Sequence, residues 1–395
     1  MSFNIALTGL SAVNEQLDTI SNNIANVGTT GFKSSRTEFG SIYADSQAMG
    51  VEVLGQTQSI SKGGSLVTTG RDLDLAISGG GFFVTKASTG NLNYTRAGVF
   101  GTDKSNFIVN AAGQRLQGYP IDASGNLLTG TMSDLQLQNA NLPAKATDSL
   151  AFVMNLDANE TVPTVAPFDP ANADTFNSTY TTKVFDSQGK EHTLTQYFVK
   201  TGANTWNAHY YADGAAVGAP QALTFNTSGQ LTAPAAPVTV TFSPAGVDPV
   251  AVAVDYNRST QTGSNFVVTT NRASGYASGE QIGIAVEKDG KVYANYSNGE
   301  RMLQGQVALA NFANVGGLQN ESGTNWSETS ESGAPIIGVA GVGVFGELRT
   351  GALENSNVDL TQQLVGLMES QRNYQANTKV LSTDKELTQV LFGAI

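Results

Sequence analysis

At 395 residues the chain is long enough to bury a large core and to form two or more domains. Only 14% of its residues are charged and the balance is −12, which argues against a nucleic-acid surface, since that needs clustered Lys and Arg. The 43 glycines mark a turn-rich β protein, and with no cysteine present a disulfide framework is excluded.

At the N-terminus, apolar residues recur at Phe3, Leu7, Leu10, Val13, Leu17, Ile20, Ile24 and Val27. Steps of three and four place them in one stripe on a helix, close to a coiled-coil seam. The segment "SNNIANVGTTGFKSS" (21–35) then crowds Asn22, Asn23 and Asn26 into the last turns and breaks at Gly28 and Gly31, before Phe32 and Lys33. Gly28 suits the left-handed residue that closes a helix, so the helix is predicted to end near Val27. Residues 28–70 hold few apolar anchors and read as an extended tether.

From there the pattern is β. "DLDLAI" (72–77) alternates Leu73, Leu75 and Ile77 as a half-exposed strand, and "SGGGFFV" (78–84) is a tight turn running into another. "TYTTKVFDSQGKEHTLTQYFV" (179–199) predicts a hairpin turning at 186–189, followed by alternating Trp206, Ala208 and Tyr210. Stretches 155–178 and 214–237, rich in Ala, Pro, Thr and Asn, read as loops. Residues 282–312 predict a three-stranded meander with turns at Asp289-Gly290 and Asn298-Gly299. A C-terminal helix is predicted with Ser356 as N-cap and Asp359 three residues on. Its stripe runs through Leu360, Leu364, Leu367, Gln371, Tyr374, Thr378 and Leu381, and continues on a neighbouring face through Val380, Leu387 and Leu391. The two helices would reach roughly 35 and 50 Å at 1.5 Å per residue.

The fold class expected is therefore mixed and mainly β: paired, coiled-coil-like terminal α-helices with two or more β-rich domains inserted between them. The expected boundaries are 1–70 with 353–395 for an inner helical domain, 71–145 with 272–352 for a discontinuous inner β domain, and 146–271 for an outer β domain. The narrow seams, with polar Gln371 and Thr378 on one of them, suit packing against other copies of the chain.

Little supports catalysis. "GVGVFG" (341–346) fits a dinucleotide-binding spacing, but "ELRTGALENSN" follows instead of a helix. His192 and His209 lie in strand-like segments without metal-ligand spacing and read as surface or inter-strand residues. Asp72 and Asp74 alternate with leucines as an ordinary strand would. No cofactor or metal is expected. No stretch approaches the ~20 apolar residues of a membrane span, and the start of the chain lacks a basic region followed by an apolar run. A soluble chain, exported if at all without a cleaved signal peptide, is expected.

Four blocks in order resemble the bacterial flagellar rod and hook protein family: "SNNIANVGTTGFKSSRTEF", "LDLAISGGGFFV", "YTRAGVFGTDKSNFIVNAAGQRLQGYP" and "GALENSNVDLTQQLVGLMESQRNYQANTKVLSTDKELTQVL". Length, the large β insertion and the "RLQGYP" form are most similar to hook members, whereas a distal rod subunit is the near alternative. A secreted β-rich binding or carbohydrate-active protein with helices as mere caps is the more distant one. The resemblance implies a non-enzymatic helical homopolymer with the terminal helices innermost. Implied partners are further copies of itself, the distal rod protein, the hook cap, the hook-filament junction protein and the flagellar type III export apparatus. It further implies a place in the extracellular flagellum, and a joint at Gly28, Gly31 and Phe32 where the helix hands over to a stretch that reaches neighbouring subunits.

Overall fold

The computed structural model describes residues 2–44, 47–122, 124–138 and 141–393. It is mainly β, with the N- and C-terminal helices in contact and the β structure between them. Contacts divide the chain into two compact units: Met1–Asn139, Gly283–Asn295 and Arg301–Ile395 in the first, Ala140–Ile282 and Tyr296–Glu300 in the second.

In the first unit, α1 (Ser2–Ala25) and α2 (Leu360–Gly393) run antiparallel, with Asn23 beside Gln363, Ile20 beside Gly366, and Gly9 beside Asn377. The α1 helix stops two residues earlier than its apolar steps suggest. Ser356 is not the cap of α2 either: Asp359 is, its Oδ1 accepting from the Gln362 N–H at 3.1 Å. The tether expected after α1 is instead an antiparallel hairpin, β1 (Ser35–Ala44) and β2 (Gln47–Gln58), folded back on α1. Its attachment is largely polar. Thr19 Oγ1 meets Thr37 Oγ1 at 2.8 Å, and Gln56 Nε2 donates to both Glu15 and Thr19 at 3.1 Å.

The β body of this unit is a twelve-stranded sheet system around the long strand Arg301–Asn311. The meander over 281–311 forms as expected. Strand Phe82–Lys86 is buried on both faces: Phe83 joins a core with Phe100 and Leu309, while Phe82 joins another with Tyr94, Phe312 and Trp326. Strand Leu75–Ser78 is likewise enclosed, so "DLDLAI" is not half-exposed, and Asp74 is buried beside Arg71. The outgoing and returning chain pair directly. Leu66–Thr68 lies antiparallel to Ala352–Glu354, and Leu75–Ser78 to Glu347–Thr350.

The second unit is a sandwich of two five-stranded sheets. One runs Ser178–Phe185, Glu191–Gly202, Thr205–Ala212, Ala215–Phe225, Leu231–Ala233; the other is built around Ser149–Asp157. Phe152, Phe198, Trp206, Val252 and Tyr256 fill the space between them. The hairpin at 179–199 and the alternation of Trp206, Ala208 and Tyr210 are as expected. The 214–237 stretch is not loop. Val217, Leu223 and Phe225 point inward from a strand whose Ala, Pro and Thr neighbours disguise the alternation.

Candidate functional site

The helix pair offers two different surfaces. Where α1 and α2 touch, small and polar residues dominate: Gly366, Ser370 and Asn377 on α2 against Gly9, Ile20 and Asn23 on α1. The Gly9 Cα lies so close to Asn377 that an added Cβ would sit 3.0 Å from its Nδ2. The leucine stripe of α2 faces elsewhere. Leu360, Leu364, Gln371, Tyr374 and Leu387 are exposed, while Leu367, Thr378 and Leu381 are half-buried. The Leu391 side chain lies outside the described residues. On α1 the stripe winds across the contact: Phe3 and Leu7 are exposed, Leu10, Leu17 and Ile24 half-buried, Val13 and Ile20 buried. Val365, Met368, Val380 and Val390 of α2 are exposed as well.

The segment after α1 is held by parts of the chain far apart in sequence. Gly31, at φ +73°, is the left-handed residue, and Gly28 is not. A side chain at Gly31 would collide with the backbone of Arg96 and Ala97, so both conformation and space demand glycine there. The Gly31 N–H donates to the Glu354 carbonyl at 2.8 Å, and the Phe32 carbonyl accepts from the Asn357 N–H at 3.3 Å. Of the three joint residues expected, Gly31 and Phe32 come together on the returning chain; Gly28 stays exposed with no atom near its Cβ position.

At its centre lies a buried ion cluster absent from the sequence reading. The Lys33 ammonium sits 2.5 Å from Glu354 Oε1, and Arg96 Nη1 lies 3.2 Å from Glu354 Oε2. All three side chains are at most 5% exposed. Two further donations go to backbone, Lys33 Nζ to the Lys62 carbonyl at 2.8 Å and Arg96 Nη2 to the Gly79 carbonyl at 2.8 Å, while the buried Arg96 Nε has no hydrogen-bond partner. Glu354 Oε1 also accepts the Gly64 N–H at 2.9 Å. Burial pulls the proton affinity of Lys33 below its ordinary value, with Glu354 opposing, and does the same to Arg96. Asn23 works beside this cluster. Its amide exchanges hydrogen bonds with both backbone groups of Ser35, at 2.8 and 2.9 Å, and donates to Gln363. This asparagine is thus engaged inside its own chain. The signal available in sequence was that Lys33, Arg96 and Glu354 each fall in one of the quoted blocks.

Residues 341–346 form turns with Gly341 and Gly343 at positive φ, leading into strand Glu347–Thr350 and no helix. Among the described residues no group of three or more His, Asp or Glu side chains is placed to hold a metal ion. His209 is inter-strand and stacks on Phe168 with ring centroids 4.1 Å apart. His192 departs from expectation, being buried between two carboxylates.

Four family models tile the chain. They are the flagella basal body rod protein (residues 3–33), the flagellar hook protein FlgE/F/G D1 domain (76–152), the flagellar basal body protein FlaE D2 domain (155–276) and the flagellar basal body rod FlgEFG protein C-terminal (349–392). Together they define an axial protein of the bacterial flagellum. Whole-length relatives narrow this. The flagellar hook protein FlgE of Escherichia coli is 39% identical over 99% of both chains, and that of Salmonella typhimurium 38% over the same share. The Treponema pallidum FlgE is 30% identical over 98% of this chain and 97% of its own. The chain belongs to the flagellar hook protein FlgE family, structural subunits of the hook. A solved structure of the Helicobacter pylori flagellar hook protein FlgE2 shares the fold, with a TM-score of 0.56 and 13% identity, covering 73% of this chain and 100% of that one.

Proposed function

We propose that the terminal helices are the assembly surface of the hook and that sister subunits complete the apolar face of α2. The observation that carries this is the unused stripe: α1 rests on the small, polar side of α2 and leaves Leu360, Leu364, Met368 and Leu387 in solvent. The neighbouring exposed apolar side chains Leu360, Leu364 and Met368 mark an interaction site. An open groove of about 360 Å³ beside Gly9, Val13, Phe39 and Ala376 adjoins the same pair. Residues Phe3, Leu7, Leu10, Leu17 and Ile24 of α1, and Leu367, Gln371, Tyr374, Leu381 and Leu391 of α2, belong to this surface in the proposal, with Gly31 and Phe32 as its joint, whereas Val13 and Ile20 are buried within the chain itself.

The inner helices then hold a helical tube together, and residues 146–271 lie outermost, sliding on weakly charged contacts while the hook bends and transmits torque. The same reading supplies the partners: the distal rod protein below, the junction protein above, the cap during growth, and the type III apparatus for export to the extracellular flagellum without a cleaved peptide. No helix among the described residues is long and apolar enough to cross a membrane.

Leu364→Asp tests the proposal directly, because Leu364 is 46% exposed and the charge costs the single chain little. Sedimentation is expected to give unassembled subunits with an unchanged β circular-dichroism spectrum. Normal polymers from this variant would sink the assignment.

A further inference from the structure

Both ring nitrogens of His192 face carboxylate oxygens: Nδ1 lies 2.6 Å from Asp213 Oδ2 and Nε2 3.2 Å from Asp186 Oδ2. The ring is 4% exposed. A neutral imidazole has one N–H, so one of these contacts would set a lone pair against an anion; an imidazolium donates both ways. The two carboxylates are themselves held in place by other donors. Asp186 Oδ1 accepts the Gln188 and Lys190 amides at 2.9 Å, and Asp213 Oδ1 accepts the Thr193 N–H at 2.8 Å and its hydroxyl at 3.1 Å. Each anion therefore keeps its Oδ2 for the ring.

The three groups join two turns. Asp186 begins the turn between strands Ser178–Phe185 and Glu191–Gly202, and Asp213 lies in the turn between Thr205–Ala212 and Ala215–Phe225. Both turns sit at the same end of one antiparallel sheet, where Asp213 N–H also donates to the Thr193 carbonyl. From the facing strand Val238–Phe242, the uncharged Phe242 covers the imidazole edge-on at 5.6 Å. The nearby charges Lys183 and Glu191 pair with each other at the surface, and the Lys190 side chain is exposed.

We propose that His192 acts as an imidazolium staple that fastens these two turns, so that an alkaline medium releases this end of the second unit. The direction of the titrations agrees. Burial lowers the proton affinity of the ring, but the hydrogen bonds to Asp213 and Asp186 outweigh it and raise the pKa above 6.5. Burial pushes Asp186 and Asp213 up, and the amides of Lys190 and Thr193 with the imidazolium outweigh that and hold both below the ordinary value of 3.8. A raised histidine contributes stability fully present below its unfolded value and lost as pH climbs through the folded one. The lowered aspartates contribute stability lost only as pH falls through theirs. The staple therefore holds from the acidic carboxylate range to above 6.5.

Two histidines make the test direct. In carbon-13 histidine NMR of the full chain, with His209→Gln for assignment, His192 is expected to titrate above 6.5 and His209, lowered by its burial, below it. Asp213→Asn keeps an acceptor for Thr193 and a residue type that tolerates the φ of +49° at that position, while removing the charge. It is expected to lower the His192 midpoint by about one pH unit, and hydrogen-exchange protection over 186–194 should fail at correspondingly lower pH. A wild-type His192 that titrates at or below 6.5 overturns the staple, as does a variant whose profile superimposes on the wild type. Should the variant not fold, the wild-type titration decides alone. Neither outcome depends on how the chain assembles.

Discussion

Glu354 answers two cations with its two oxygens, and among the described residues no other carboxylate pairs with either one. Such a cluster contributes modestly to net stability, since desolvating charges offsets their attraction, but removing one partner strands the others. Glu354→Gln is therefore expected to destabilise the first unit by about 3–5 kcal/mol, read as a lower urea midpoint with an unchanged slope. Asn23→Ala, which leaves half-buried backbone groups of Ser35 without their Asn23 partners, should cost about 1 kcal/mol by the same measurement. Neither role was legible from local pattern. Lys33 and Glu354 are 321 positions apart, and a lysine after "GF" reads as an ordinary surface charge. Which glycine turns left-handed was equally hidden. Gly28 sits where helix periodicity stops, but the choice of Gly31 is set by the approach of the Arg96–Ala97 backbone.

The terminal helices show how one element serves two purposes. Period predicted a helix at each end of the chain, and both form. Which face meets the partner helix was not readable, because Gly366, Ser370 and Asn377 look like ordinary helix surface. Ser370 is fully buried, so Ser370→Leu overpacks the contact and should cost about 1–3 kcal/mol, seen as early melting of helical circular dichroism with the β signal retained. The β1–β2 hairpin escaped notice for a related reason. Among its described residues Thr37 alone is buried, so neither strand alternates in the way that advertises a sheet. In strand Ala215–Phe225 the alternation exists, but only Val217, Leu223 and Phe225 carry it.

Each unit buries one of the two tryptophans in a core, Trp326 in the first and Trp206 in the second. Single Trp→Phe variants should therefore report two separate denaturation midpoints by fluorescence; coincident curves would show that the units unfold as one. The absence of cysteine also makes the sliding of outer domains testable. Engineered disulfides between the 146–271 regions of neighbouring subunits are expected to stiffen hooks and impair swimming, with motility restored by reductant.

The direct pairing of Leu66–Thr68 with Ala352–Glu354 sets an order of events in time. The second unit draws on nearly continuous chain and can mature early, but the first lacks its closing strands until almost the last fifty residues arrive. A polypeptide made from its N-terminus thus holds a first unit still unfinished when the second is complete. The exposed apolar side chains of α2, Leu360, Leu364 and Leu387 among them, become available only after both units' earlier segments.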